Sequence, residues 1–288
     1  MSINSSTRLP VIKITDNEEF ATHDTLAIEE PLEIRMEYGD TDERIIRSIS
    51  VTMRTPGNDA ELALGFLFTE GIIRQPEDVN SAKHCFIACT ENKENIIQVS
   101  LKEGVEPVLH NTERNFYTTS SCGVCGKASI NSIKTVSTYN NSITENRVSS
   151  NLLHALPSAL QKHQKVFAAT GGLHASALFT FDGELVLVKE DVGRHNALDK
   201  MIGAALNKNI LPLNQHILLL SGRISFELVQ KAAMAGITII AAVGAPSSLA
   251  VQLAEEFNIT LVGFLRDQRF NMYTKPERIL LLKYEDSY

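Results

Sequence analysis

HILLLSGRISFELVQKAAMAGITIIAAVGAPSS, residues 216–248, decides how the second half of this chain is read. His216–Leu220 is a short apolar run, bounded by the polar turn Ser221-Gly222-Arg223-Ile224-Ser225. A helical segment starts near Ser225, and a second apolar run, Ile237–Val243, ends at Gly244-Ala245-Pro246-Ser247-Ser248. Short continuous apolar runs alternating with helices are the pattern of a sheet covered on both faces. Working outward, Lys165–Ala169, Glu184–Val188 and Ile259–Phe264 read as further strands, with helices starting near Arg194 and Ser247. The second half is therefore expected to be α/β with a mostly parallel or mixed sheet.

Upstream the pattern changes. Leu32–Glu37 and Ile45–Thr52 read as strands joined through Gly39-Asp40-Thr41-Asp42. Asn58 is placed to cap a helix, with Glu61 at the capping-box position. Leu62, Leu64, Phe66 and Phe68 follow, and the helix stops near Gly71. Strands near Lys83–Cys89 and Asn95–Leu101 complete an α+β region. Residues 1–27 are polar and unpatterned and read as a loose tail. The expected organisation is a tail at 1–27, an α+β domain at 28–117, a mobile loop and helix start at 118–135, and an α/β domain at 136–288.

Composition narrows the function classes. With 288 residues, 43% hydrophobic and 21% charged, the chain has enough apolar surface for a core. A net charge of −7 argues against general nucleic-acid binding, which needs many cations facing phosphates. No apolar run approaches the roughly 18 residues of a membrane span. Met1 to Asn17 lacks the apolar core of a secretory signal. Four cysteines are too few for a disulfide scaffold of this length, so reduced thiols in the cytoplasm are expected.

The sharpest local feature is Ser121-Cys122-Gly123-Val124-Cys125-Gly126-Lys127. The stretch 127–136 reads as a helix, so both thiols would stand near a helix N-terminus. That dipole and Lys127 favour thiolate. Three readings stay open: half of a zinc site, a thioredoxin-like dithiol, and a persulfide carrier on a loop. Cys85 and Cys89 could supply the other half of a zinc site, but their filling, Phe86-Ile87-Ala88, is that of a buried strand. No stoichiometric metal is expected. A dithiol of the thioredoxin kind should open the first helix of its domain, whereas this pair lies mid-chain after a Ser/Thr loop. Position and composition fit the persulfide carrier best.

Polar residues collect after each proposed strand: Thr170–His174, Glu190–Asn196, Ser221–Ser225, Gly244–Ser248 and Phe264–Arg269. In open α/β sheets such strand ends form the ligand crevice. Gly- and Ser-rich helix starts, including Ser221, Gly222 and Ser247, can hold phosphate oxygens. Arg194, Arg223, Arg266 and Arg269 can add bidentate contacts, with His174 and His195 nearby. A pyrophosphate-bearing ligand suits the set. Simpler roles stand beside these: helix capping for Ser247 and Ser248, a turn for Asp191, and a solvated helix face for Asp199 and Lys200. His174-Ala175-Ser176 lacks the glutamate of a zinc deaminase, and no C-x-x-C follows it, so deaminase chemistry is rejected.

Taken together, these stretches resemble the formate dehydrogenase accessory sulfurtransferase family (FdhD). The match runs from Arg54-Thr55-Pro56 and Leu62–Leu67 through Cys122–Cys125 and Thr170–His174. It continues with Glu190–Lys200, Ser221–Lys231, Ala245–Leu249 and Gly263–Tyr273. The resemblance implies that a cysteine desulfurase charges Cys122 as a persulfide, with Cys125 as its partner. It implies that the sulfur passes to a molybdenum bis(pterin guanine dinucleotide) cofactor destined for formate dehydrogenase. The family's cofactor-binding stretch falls on Phe264, Leu265, Arg266, Asp267, Gln268 and Arg269. A cytidine-deaminase-like second domain and a homodimer are implied as well.

Overall fold

The computed structural model describes residues 4–84, 93–109, 139 and 147–281. The second half is built on a six-stranded sheet. Its strands are β8 (His174–Thr180), β9 (Leu185–Asp191), β10 (His216–Leu220), β11 (Ile239–Ala242), β12 (Thr260–Arg266) and β13 (Arg269–Thr274). Their order is β13-β12-β11-β10-β8-β9. Only β10, β11 and β12 run parallel to one another, while β8, β9 and β13 are antiparallel to their neighbours, so the sheet is mixed. Alternation explains how it is covered. In β10, Leu218 and Leu220 face one core while Ile217 and Leu219 face another. Helices α4 (Arg194–Asn207), α5 (Phe226–Met234) and α6 (Ser248–Glu256) pack on the first face and α2 (Ser150–Gln161) on the second.

The first half holds a four-stranded sheet, ordered β4-β3-β6-β5, and helix α1 (Asp59–Thr69). The strands are β3 (Glu30–Tyr38), β4 (Ile45–Arg54), β5 (Val79–His84) and β6 (Ile96–Leu101). Of the expected strand Lys83–Cys89, the part beyond His84 lies outside the described residues. Two-residue strands β7 (Val148–Ser149) and β14 (Ile279–Leu280) pair in parallel at the rim. The core does not stop between the halves: Leu62 and Leu67 of α1 share one cluster with Leu198 and Met201 of α4.

That junction is unusually close. A Cβ placed on Gly65 would overlap the carbonyl oxygen of Asp199, and one on Gly203 would overlap that of Glu61. The two helices thus touch backbone to backbone at paired glycines. Two buried ion pairs flank the crossing. Asp199 meets Lys231 of α5 at 3.0 Å and Thr69 of α1 at 2.9 Å. Lys200 meets Asp191 at 2.7 Å and the carbonyl of Thr55 at 2.8 Å. Asp199 and Lys200 are each 2% exposed, so the expected solvated face is corrected: α4 is enclosed on both sides, and its charges are matched by partners far away in sequence.

Three further expectations are corrected. Residues 1–27 are not a loose tail throughout, since β1 (Ser6–Thr15) and β2 (Glu18–Ala27) form a hairpin. Its two-residue turn is Asp16-Asn17, both left-handed at φ 52° and 67°, a conformation these side chains tolerate. Asn58 does not cap α1 through its side chain. It is left-handed, at φ 58°, and Glu61 turns away to pair with Lys189 at 2.5 Å. Lys165–Thr170 is a short helix, α3, rather than a strand, because the Glu190 carboxylate accepts from the N–H groups of Val166 and Phe167 at its start. The strand nearby is instead β8, whose small residues Ala175, Ser176 and Ala177 gave it no strand signature.

Candidate functional site

The topology gathers chemistry at one edge of the six-stranded sheet. Because β8 runs antiparallel to β10, His174 at its beginning lands beside Ser221 at the end of β10. The Ser221 hydroxyl accepts from Ala175 N at 2.8 Å, and Ser221 N donates to the Ala175 carbonyl at 3.0 Å. Gly222 is needed here: a Cβ on it would come within 3.1 Å of the His174 ring. The next loops stack in turn, with Gly244 N donating to Gly222 O and Phe264 N to Gly244 O. Asp191, at the end of β9, pairs with His174.

Asp191 organises the start of α4. Its carboxylate accepts from Gly193 N at 2.8 Å, from the Asn196 amide at 3.2 Å and from Thr55 N at 3.2 Å, besides its Lys200 pair. It is thus more than a turn residue: it fixes the turn that presents Arg194 and His195. The Nε of Arg194 is buried and makes no hydrogen bond among the described residues. Nε2 of His195 lies 3.0 Å from both Ser225 Oγ and Glu227 Oε2. Burial works against the Glu227 carboxylate, yet the hydrogen bond and charge of His195, the Ser225 hydroxyl and Arg194 outweigh it and hold the carboxyl below its usual range. Serine and glutamate meet the same ring nitrogen, whereas a hydrolytic triad places the acid on the opposite one. The group holds His195 in place and is not a serine nucleophile. For His174, burial comes first. The charges of Arg194, His195 and Arg223 then add to it and lower the imidazole below its ordinary value, against a pull upward from Asp191.

The remaining expected residues divide. Arg266 and Arg269 face each other across β12 and β13, exposed, around a tight turn at Asp267 and Gln268, both left-handed. Like charges directly opposite destabilise a strand pair, so this tip is suited to an anion. Phe264 is partly buried at a register shift, also left-handed at φ 56°. The Leu265 side chain is fully buried and can offer a ligand only its backbone. Ser247 caps α6, accepting from Ala250 N at 3.2 Å. Cys122, Cys125, Cys85 and Cys89 lie outside the described residues, as does all of 118–135. Among the described residues no three His, Cys, Asp or Glu side chains cluster as a metal site, and no helix is long and apolar enough to cross a membrane. The sequence reading missed Glu227 and the Asp191–Lys200 pair. Only Glu227 had a local signal, its place two residues after the helix-opening Ser225.

Comparison with known proteins bears on the whole chain. A model of the FdhD/NarQ family matches residues 27–280. A protein of Mycolicibacterium paratuberculosis named sulfur carrier protein FdhD is 50% identical over 277 residues, which is 95% of this chain and 98% of that protein. One of the same name from Picrophilus torridus is 44% identical over 257 residues, or 89% and 92%. A crystal structure of a protein from Desulfotalea psychrophila, described provisionally as a formate dehydrogenase accessory protein, aligns with a TM-score of 0.71. At 24% identity it covers 96% of this chain and 100% of its own, and it shows a shared fold. Matched by the family model over most of its length and half-identical to such a relative, the chain belongs to the FdhD/NarQ family.

Proposed function

We propose that this protein is a sulfur carrier: Cys122 takes sulfur from a cysteine desulfurase and delivers it to a molybdenum bis(pterin guanine dinucleotide) substrate for formate dehydrogenase. The observation that carries this reading is the half-identity, along 95% of the chain, to a relative named a sulfur carrier. In the first step the Cys122 thiolate attacks the terminal sulfur of the donor persulfide. A new S–S bond forms at Cys122, and the donor leaves as thiolate. In the second step Cys125 takes the Cys122 sulfur as a disulfide, so the thiol pair supplies the two electrons that reduce the transferred sulfur to sulfide. Arg194, Arg223, Arg266, Arg269, His174 and His195 hold the anionic substrate over the strand ends. The Asp191 turn and the Glu227 carboxylate position the first of these cations and His195. Reduced thiols of this kind work in the cytoplasm.

Intact-mass and peptide analysis after incubation with a desulfurase and cysteine tests the first step. We expect the mass of one added sulfur atom on Cys122, removed by reductant. An unmodified Cys122 beside a charged desulfurase would leave a cofactor-binding chaperone and not a carrier. Guanosine diphosphate tests the binding of the substrate over the strand ends. Losing one charge-assisted contact costs about 1.5–3 kcal/mol, so Arg266→Ala should weaken binding by roughly tenfold or more in calorimetric titration. Equal affinity would remove Arg266 from the site.

A further inference from the structure

The strands β1 and β2 pair only with each other among the described residues. A two-stranded hairpin without further support is marginally stable in water. The base of this one is tied down beside the candidate site. The Ser5 hydroxyl donates to the Pro56 carbonyl at 3.2 Å, Ala27 lies next to Gly172, and α3 packs against β2. Beyond the base the hairpin is largely bare. It carries five of the eleven large apolar side chains exposed among the described residues: Leu9, Ile12, Ile14, Phe20 and Leu26. Apolar surface gathered in this way on one element marks a binding surface.

The register sorts these side chains onto two faces. On one, Pro10, Ile12 and Ile14 of β1 adjoin Ala21 of β2 without a break. Pro10, Ile12, Ala21 and His23 line a shallow trough of about 330 Å³ there. Ile12 and Ile14, 68% and 58% exposed, are the barest apolar residues of the hairpin. On the opposite face Lys13 and Thr22 interrupt Leu9, Val11 and Phe20. Pro10 and Lys13 work against the addition of another strand along β1, so the face and not the edge is the docking surface.

Charge identifies what covers this face. Arg8 stands at its base end, opposite Thr25, and Glu19 at its tip end, opposite Ile14. They are roughly 20 Å apart along the strands, too far to meet within one hairpin. We propose that this face docks on the same face of a second copy of the chain, the two hairpins lying end for end. In that arrangement Ile12 of each copy meets Pro10 of the other, and Ala21 meets His23. Each Arg8 enters the layer that holds the other copy's Glu19. The contact is isologous, so the ion pair forms twice. Laying the hairpins in the same direction would set Glu19 beside Glu19 and Arg8 beside Arg8, which repels.

Sedimentation of the full chain over a concentration series tests this. The wild type should be a dimer, and Ile12→Asp should shift it to monomer. Arg8→Glu and Glu19→Arg should each weaken the dimer by roughly tenfold, because each change acts twice across a two-fold interface. The two combined in one chain should restore it, since the exchanged charges meet only between copies. Leu9→Ser, on the opposite face, should leave the dimer intact. The charge exchange carries the test by itself if Ile12→Asp unravels the hairpin. A monomeric wild type overturns the proposal and leaves the face to a different protein. Charge variants that change nothing, or a combined variant that stays as weak as the single ones, overturn it too. A dimer lost as readily in Leu9→Ser as in Ile12→Asp would place the contact on the other face and overturn the assignment.

Discussion

Gly203→Ala is expected to leave little folded protein. The added methyl group would lie inside the carbonyl of Glu61, and that carbonyl is backbone in the first turn of α1, not a side chain that can swing aside. Overpacking a core commonly costs about 1–3 kcal/mol when side chains can repack. Here the atoms the methyl group would meet are backbone, so the cost should reach or exceed about 3 kcal/mol. Relief requires α1 and α4 to separate, which would also lengthen the Asp199 to Thr69 hydrogen bond. Gly65→Ala should behave alike, for its methyl group would meet the Asp199 carbonyl. Gly172→Ala is the control: the nearest atom to a Cβ there is 3.8 Å away, and its stability should match the wild type. Soluble yield and thermal melting of the three variants check this. A Gly203→Ala protein melting with the wild type would show that the crossing is looser than described.

Lys200→Met should produce the second large effect. Methionine fills the lysine's space but leaves Asp191 buried without its counter-charge. Removing one partner of a buried pair costs roughly 3–5 kcal/mol, which for a chain of this size lowers the melting temperature on the order of 10 °C. The sign of the pH dependence follows from the carboxyl. Burial already pushes Asp191 above its usual range, and without Lys200 it rises further. A carboxyl whose pKa is higher folded than unfolded binds a proton on folding. The penalty is therefore largest above its folded pKa and shrinks as pH falls toward the ordinary aspartate range. Melting at acidic pH should recover part of the loss, and Asp191→Asn combined with Lys200→Met should recover part of it at neutral pH. A loss that stays constant with pH would place the damage in packing alone.

The uneven legibility of this fold has physical causes. His216–Leu220 was read to the residue, and the starts of α4, α5 and α6 to within one, because turn and cap residues mark them. By contrast β8 hides behind alanine and serine, whose small side chains carry no β preference yet are buried on both faces. The buried charges were unreadable for a different reason. Lys231 and Asp199 lie on separate helices, and Asp191 meets Thr55 across 136 residues, so nothing local distinguishes them from surface residues. In the candidate site the strand-end rule located His174, Arg194, Arg223 and the Arg266–Arg269 tip, even though one of the strands behind it was misread. His174 reached the same edge from the opposite chain direction. The rule could not separate groups that face a ligand from those, such as Leu265 and Ser247, whose side chains are already engaged.

Eleven of the fourteen residues of α4 are buried, whereas Arg266 to Arg269 form an exposed hairpin tip. The two sets of cations proposed for one substrate are therefore mounted differently. Backbone amides in α4 should exchange with solvent only on global opening, and those around Asp267 almost freely. A ligand spanning both would meet a rigid jaw first and a compliant one second. Its binding should then slow exchange at the tip while leaving that of α4 unchanged.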